Sequence, residues 1–343
     1  MVRRFPAWAA ALGSRSNVAP VAGLLVLAPL VGEYLLGNVS VRLLPALPFL
    51  IPLYGGGALL IREVVRRTGR GWPAILLLAA AYGVVEAGLV DQSLFNPTFE
   101  GHDFQATTPV PALGISAGSG FAFLVGHVVW SIGVPIALVE WLTPGRRHTP
   151  WLRTPGLLLT ILLYLLGCWI IFDDLRHSED FLASPAQLAG AAAVALLLVA
   201  AGLLARRPRA ATAAGRVPRP WLVGVLGFAV SSAFVLRPET WAGLAFGVVL
   251  AAAAALAVGA LARRAGWTER HRMALAAGTL LTYGWLGFAL TGMVEPGDPV
   301  RWWGNAGFLA GAVALVVWCS VSRRAPRPSS AARPTAAPPL PRA

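Results

Sequence analysis

Apolar positions in this chain fall into ten long runs separated by short polar segments: 18–37, 43–61, 72–90, 115–142, 155–172, 186–205, 221–236, 241–261, 273–294 and 306–321. A hydrocarbon core of roughly 30 Å is crossed by about twenty helical residues. Each run therefore predicts a membrane-spanning helix, and the fold class expected is all-α, a polytopic transmembrane bundle of about ten helices. Two runs are unusual. The 221–236 run is short, and the 43–61 run carries Pro45, Pro48, Pro52 and the triplet Gly55-Gly56-Gly57, so it is expected to be kinked or broken. The segment Phe5 to Leu12 is too short to span and is expected to lie along the interface, anchored by Trp8.

Composition supports this class. Hydrophobic residues make up 57% of the chain and charged residues 13%, against roughly 25% in soluble domains. Two cysteines, Cys168 and Cys319, both lie in apolar runs and make neither a disulfide framework nor a zinc motif. The formal charge is +13, with 28 basic residues that are all arginine and no lysine. In a soluble protein such an excess points to nucleic acid, but the positions point elsewhere. On the ten-span map, 24 of the 28 arginines fall in alternate segments: 1–17, 62–71, 143–154, 206–220, 262–272 and 322–343. Arginine enrichment marks cytoplasmic loops, so both termini are expected to be cytoplasmic in a multi-pass protein of the cell membrane. Its partner is then the lipid bilayer, with no nucleic acid involved. Ten of the fifteen acids fall on the opposite side.

The same map divides the chain. A short N-terminal segment (1–17) precedes helices 1–4 (18–142), which include an outer loop over 91–114 and hold the candidate chemistry. Helices 5–6 (155–205) lead into a basic loop (206–220), helices 7–10 (221–321) read as scaffold, and a Pro/Ala/Arg-rich tail (322–343) completes the chain.

Ionisable groups inside a membrane are costly and mark candidate sites. Glu33 and Glu86 lie about one turn from the outer ends of spans one and three. Each acid serves a site, snorkels to the outer headgroups or pairs with Arg42. Tyr34 adjoins Glu33, and Tyr82 precedes Glu86 by one turn on the same face. His127 sits near the middle of span four, with Trp130 and Ser131 one turn beyond. It reads as a proton relay, a metal ligand or a general base, or else as a hydrogen-bonded structural imidazole. Glu86, His127 and Glu33 are the candidate catalytic groups. Tyr34, Tyr82, Asp91, Asn96, His102, Trp130 and Ser131 are candidates for substrate contact. The 91–113 loop, with Phe95, Phe99 and Phe104, is expected to fold back over the outer mouth or to re-enter it. The small-residue stretch Gly114 to Gly120 provides either close packing or room for a substrate. Glu86, Glu100, His102, Asp103 and His127 together offer ligands for a divalent metal, although no HExxH or CxxC spacing accompanies them, and no motif names a cofactor. Glu140, near the inner end of span four, is expected to pair with Arg146 or Arg147.

Phe123-Leu-Val-Gly-His127 resembles the FxxxH motif of the CPBP family of intramembrane proteases, related to the CAAX-prenyl endopeptidases. Glu86 stands on the preceding helix, where that family carries EExxxR. Here Ala87 replaces the second Glu, Val90 replaces the Arg, and the family's later HxxxN motif is missing. The resemblance implies Glu86 as the water-activating residue and His127 as its partner.

Three functions fit these residues. One is a membrane enzyme acting on a lipid, isoprenoid or peptide bond at the outer leaflet. A second is a proton-coupled transporter of a small molecule, for which ten helices suit a five-plus-five inverted repeat. In that repeat the seventh span would partner the second, yet it holds no proline and no glycine triplet. The third is a non-catalytic assembly or partner protein.

Overall fold

The computed structural model describes residues 17–207, 211 and 213–321. The interfacial segment expected at Phe5 to Leu12 and the tail beyond residue 321 lie outside the described residues. Among the described residues there are ten apolar helices: α1 (Val18–Leu35), α2 (Val41–Arg67), α3 (Trp72–Val90), α4 (Ala117–Leu142), α5 (Thr154–Glu179), α6 (Pro185–Leu204), α7 (Pro220–Val235), α8 (Trp241–Ala262), α9 (Glu269–Val294) and α10 (Pro299–Val321). Nine are long and apolar enough to cross a membrane, and α7 is the shorter one. Local sequence sets several of their starts. Proline stands in the first turn of α3, α5, α6 and α7, where its missing N–H costs nothing. Ser116, Ser184 and Thr240 accept from the first-turn backbone of α4, α6 and α8.

The proline- and glycine-rich α2, expected to be kinked or broken, is continuous with changes of winding. It begins as a 3-10 turn over Val41–Ala46, has an α turn at Leu47–Leu50, passes through a π-helical turn at Ile51–Gly55 and continues as α-helix to Arg67. Changes of winding absorb the carbonyls that the prolines leave without an N–H partner, so the chain stays helical throughout. The repeat partner that a five-plus-five scheme would demand, α7, is a regular helix of 16 residues.

Three apolar clusters hold the bundle. One, around Leu24, Leu53, Ile75 and Ile132, joins α1 to α4. A second, around Val31, Leu138, Phe234 and Leu280, ties α1 and α4 to α7, α9 and α10. The third packs Val84 and Phe95 against Ala191 of α6. The most apolar stretch of α3 is 67% buried and that of α8 only 6%, so α3 is interior while α8 presents its surface to lipid. The arginine-rich segments after α2, α4 and α8 meet one another, Arg62 reaching the carbonyls of Arg146 and Arg147, and Arg147 pairing with Glu269.

The 91–116 segment folds back on the first turns of α4. Pro109–Val110 pairs antiparallel with Ile115–Ser116, Phe104 packs edge-on against Phe123 at 5.2 Å, and Phe95 is buried against α6. The small residues beneath the segment serve packing: a side chain on Gly118 would stand 2.7 Å from the Thr108 hydroxyl, and one on Gly120 3.0 Å from Leu94.

Candidate functional site

Four helices contain a π-helical turn: Leu30–Leu35 in α1, Ile51–Gly55 in α2, Glu86–Val90 in α3 and His127–Gly133 in α4. Each carries one polar group of a single cluster, namely Glu33, Tyr54, Glu86 and His127. A π turn widens the helix, frees a carbonyl and shifts the phase of the side chains that follow, and such turns concentrate at functional sites. Here four of them turn their side chains toward one another.

His127 Nε2 stands 2.8 Å from Glu86 Oε2. The other ring nitrogen, Nδ1, lies 2.8 Å from the Phe123 carbonyl. A carbonyl oxygen can only accept, so Nδ1 carries a proton. A bare Nε2 lone pair facing a bare carboxylate would be repulsive, so at least one further proton lies between Nε2 and Oε2. The Tyr54 hydroxyl donates to Glu86 Oε1 at 3.0 Å, and the Glu33 carboxyl stands near it. Glu33 Oε2 in turn accepts from Asn38 at 3.0 Å in the exposed turn after α1. The result is a cluster in which Tyr54, Glu86 and His127 are joined and Glu33, bonded to Asn38, stands beside Tyr54. His127 lies ten residues into α4, about 15 Å along its axis.

Close packing places these groups. An added side chain on Gly83 would meet His127 Cβ at 3.1 Å, one on Gly57 would meet the Tyr82 ring at 2.5 Å, and one on Gly32 would meet Ser131 Oγ at 2.9 Å. Tyr82 joins the cluster through its ring, 5.7 Å from that of His127. Its hydroxyl is buried and has no hydrogen-bond partner among the described residues. Glu86 is 5% exposed while His127 is 14% exposed, and Glu33 is half-buried.

The structure brings together Glu33, Tyr82, Glu86 and His127 from the residues singled out in the sequence, with Asp91 one turn above Glu86. It turns others away. Tyr34 follows Glu33 directly but points out of the cluster. Its hydroxyl donates to the Leu43 carbonyl at 2.8 Å, and its ring packs on Phe308. Trp130 is not on the His127 face, because the intervening turn is π-helical and the usual three-residue relation fails. It stacks on Tyr283 at 4.2 Å and donates to the Thr279 carbonyl of α9. Ser131 packs on Gly32 between α4 and α1. Asn96 ties the outer loop to Glu179 at the end of α5. His102 is exposed, stacks on Phe104 and faces the Glu100 carbonyl. Glu100, His102 and Asp103 therefore do not join Glu86 and His127. Among the described residues no three His, Cys, Asp or Glu side chains converge on a metal position. Arg42, expected as a partner for the intramembrane acids, instead donates to Asp298 at 2.9 Å and holds that carboxyl below its usual range.

Tyr54, which stands beside the two carboxyls, escapes sequence reasoning. Its only signal is a position between Pro52 and the glycine triplet. A second buried network escapes it as well. At the arginine-rich end, Glu140 pairs with Arg66 at 2.6 Å and with Arg62 at 3.1 Å, not with Arg146 or Arg147 as expected. Helix α2 runs on to Arg67 and carries both guanidinium groups inside the bundle. Arg62 also pairs with Glu63 at 2.7 Å, donates to the carbonyls of Arg146, Arg147 and Thr149, and lies over the Trp151 ring. Glu63 accepts from the Trp151 and Leu152 backbone. Every charge there is matched by a partner, which is the condition for burying it.

A family model described as an uncharacterized membrane protein family matches residues 24–334. No curated protein matches the chain, and no solved structure does.

Proposed function

Since the chain belongs to an uncharacterized membrane protein family, we propose its function from the site itself: proton-coupled transport of a small molecule, with Glu33, Tyr54, Glu86 and His127 as the proton path. The observation that carries this reading is the clustering of proton-bearing groups inside the bundle, with Tyr54 and His127 both on the Glu86 carboxyl and Glu33, bonded to Asn38, beside them. A phenol beside two carboxyls relays a proton by passing its own to one carboxylate while taking one from the other, protonated carboxyl, and the acid–imidazole pair stores it. His127 has Nδ1 on the Phe123 carbonyl and Nε2 2.8 Å from the Glu86 carboxyl, which suits carrying a proton better than withdrawing one from a substrate. In this reading the acidic end faces outward across the cell membrane, and the arginine-rich loops and both termini are cytoplasmic.

The test uses right-side-out membrane vesicles from cells making the chain, loaded with a pH dye. Amino acids, organic acids, sugars and organic cations are added in turn. At least one class is expected to acidify the lumen. Glu86→Gln is expected to abolish the response at unchanged abundance, and Tyr54→Phe to slow it. A folded, abundant Glu86→Gln protein that moves protons at the wild-type rate would sink the proposal.

A second reading, a membrane enzyme on a lipid, isoprenoid or peptide substrate, draws support from the Tyr82 hydroxyl. Buried beside His127 without a partner among the described residues, it would donate to a substrate oxygen. That reading predicts no solute-driven acidification, with lipid or peptide turnover lost in both Glu86→Gln and Tyr82→Phe.

Orientation is tested separately. In a background with Cys168 and Cys319 replaced by Ala, Gly101→Cys is expected to react with a membrane-impermeant maleimide on intact cells. Gly145→Cys is expected to react only after permeabilisation, and the reverse pattern would invert the topology.

A further inference from the structure

At the arginine-rich end, α7, α9 and α10 leave a groove of about 630 Å³ between them. Its walls are apolar, with Trp221 and Phe228 from α7, Met273 and Leu281 from α9, and Val316 from α10. Its floor is the crossing of α7 and α9, where small residues bring the backbones together. A side chain on Gly278 would stand 1.9 Å from the Gly224 carbonyl oxygen. The groove opens to the side of the bundle, since Trp221 and Val225 are both more than half exposed.

One charged residue lines it. Arg270, in the first turn of α9, is exposed at the mouth and has no hydrogen bond or ion pair among the described residues. Its neighbour Glu269 does not neutralise it, because that carboxylate is engaged by Arg272 and by Arg147. Arg216, Arg219, Arg263 and Arg264 stand on the flanking segments and add to the positive field.

We propose that this groove binds an anionic phospholipid of the leaflet at the arginine-rich end, with an acyl chain along Phe228, Met273 and Leu281 and the phosphate on Arg270. The two halves of the site fit two halves of one molecule. A free anion would leave the apolar slot without a partner, and an uncharged lipid would leave the guanidinium without one. Basic pockets between transmembrane helices recognise anionic headgroups in this way, and the exposed Trp221 at the start of α7 is the kind of residue enriched at the interface.

The full-length chain in detergent is titrated with phosphatidylglycerol or phosphatidylcholine, and retained lipid is counted by native mass spectrometry. The wild-type chain is expected to retain one phosphatidylglycerol in preference to phosphatidylcholine. Arg270→Gln, a surface change, is expected to weaken phosphatidylglycerol retention by about fivefold and remove the preference. Val225→Trp, at an exposed groove position, is expected to weaken retention of both lipids. Equal retention of the two lipids by the wild type, or unchanged preference in Arg270→Gln, overturns the proposal. So does phosphatidylglycerol retention that emerges only when residues beyond 321 are deleted, because the chain's own tail would then be the occupant.

Discussion

Glu140→Gln is expected to be strongly destabilising, since Arg66 loses its carboxylate partner while Arg62 keeps Glu63. The amide keeps the shape of the side chain but removes the negative charge that both Arg62 and Arg66 approach within about 3 Å. Arg62 is fully buried and Arg66 nearly so, and neither guanidinium can shed its proton to escape. Breaking a buried ion pair by removing one partner costs about 3–5 kcal/mol, chiefly because the other charge is left uncompensated. Total stabilities are of the order of 5–15 kcal/mol, so the variant should lose a large share. The whole network need not stabilise the protein relative to an apolar core of the same shape. What it provides is position. Arg62 reaches three carbonyls of the loop between α4 and α5, and Glu63 holds the backbone at Trp151 and Leu152. Thermal unfolding in detergent and membrane abundance measure the effect, and limited proteolysis within 144–150 should accelerate with it. A variant that unfolds at the wild-type temperature would remove this network from the account of the fold.

Gly55→Ala is expected to be the second severe change, and the adjacent Gly56→Ala to be mild. An added Cβ at Gly55 would lie 2.2 Å from the Leu25 carbonyl oxygen and 2.6 Å from its Cα. Those atoms are backbone and cannot swing aside, so α1 and α2 must separate. At Gly56 the nearest atom is Tyr164 Cβ at 3.5 Å, an ordinary contact, and alanine is the better helix former by up to about 1 kcal/mol. Overpacking a tight site typically costs about 1–3 kcal/mol. Gly55 also follows Tyr54 directly, so separation of the two helices would pull the phenol away from Glu33. The pair is compared by unfolding temperature and by the vesicle acidification assay. Equal behaviour of the two variants would show that the α1–α2 approach tolerates a methyl group.

Much of the candidate site is legible in the sequence. Glu33, Glu86 and His127 stand out because a charge in an apolar run is expensive wherever the helix lands. Tyr82 follows from Glu86 by α-helical spacing, which holds there because α3 is regular up to Val85. Trp130 and Tyr34 are misplaced for related reasons. Regular spacing assigns the first across a turn that is not regular, and adjacency in sequence assigns the second, although neighbours on a helix point in different directions. Tyr54 carries no such signal. A tyrosine in an apolar span is ordinary by composition, and its role depends on Glu86 and Glu33 arriving from two other helices.

The sequence by itself determined the class of protein, the number of helices, their approximate limits and the alternation that separates an arginine-rich end from an acidic one. These follow from transfer free energies, which add up segment by segment and need no knowledge of neighbours. Tertiary structure alone decided which groups meet: four π-helical turns gathered Glu33, Tyr54, Glu86 and His127, and the extension of α2 to Arg67 moved two arginines from an expected loop into a buried network. The physical reason is that helix–helix packing depends on backbone winding and on where small residues permit close approach, and both are settled only when the helices are brought together.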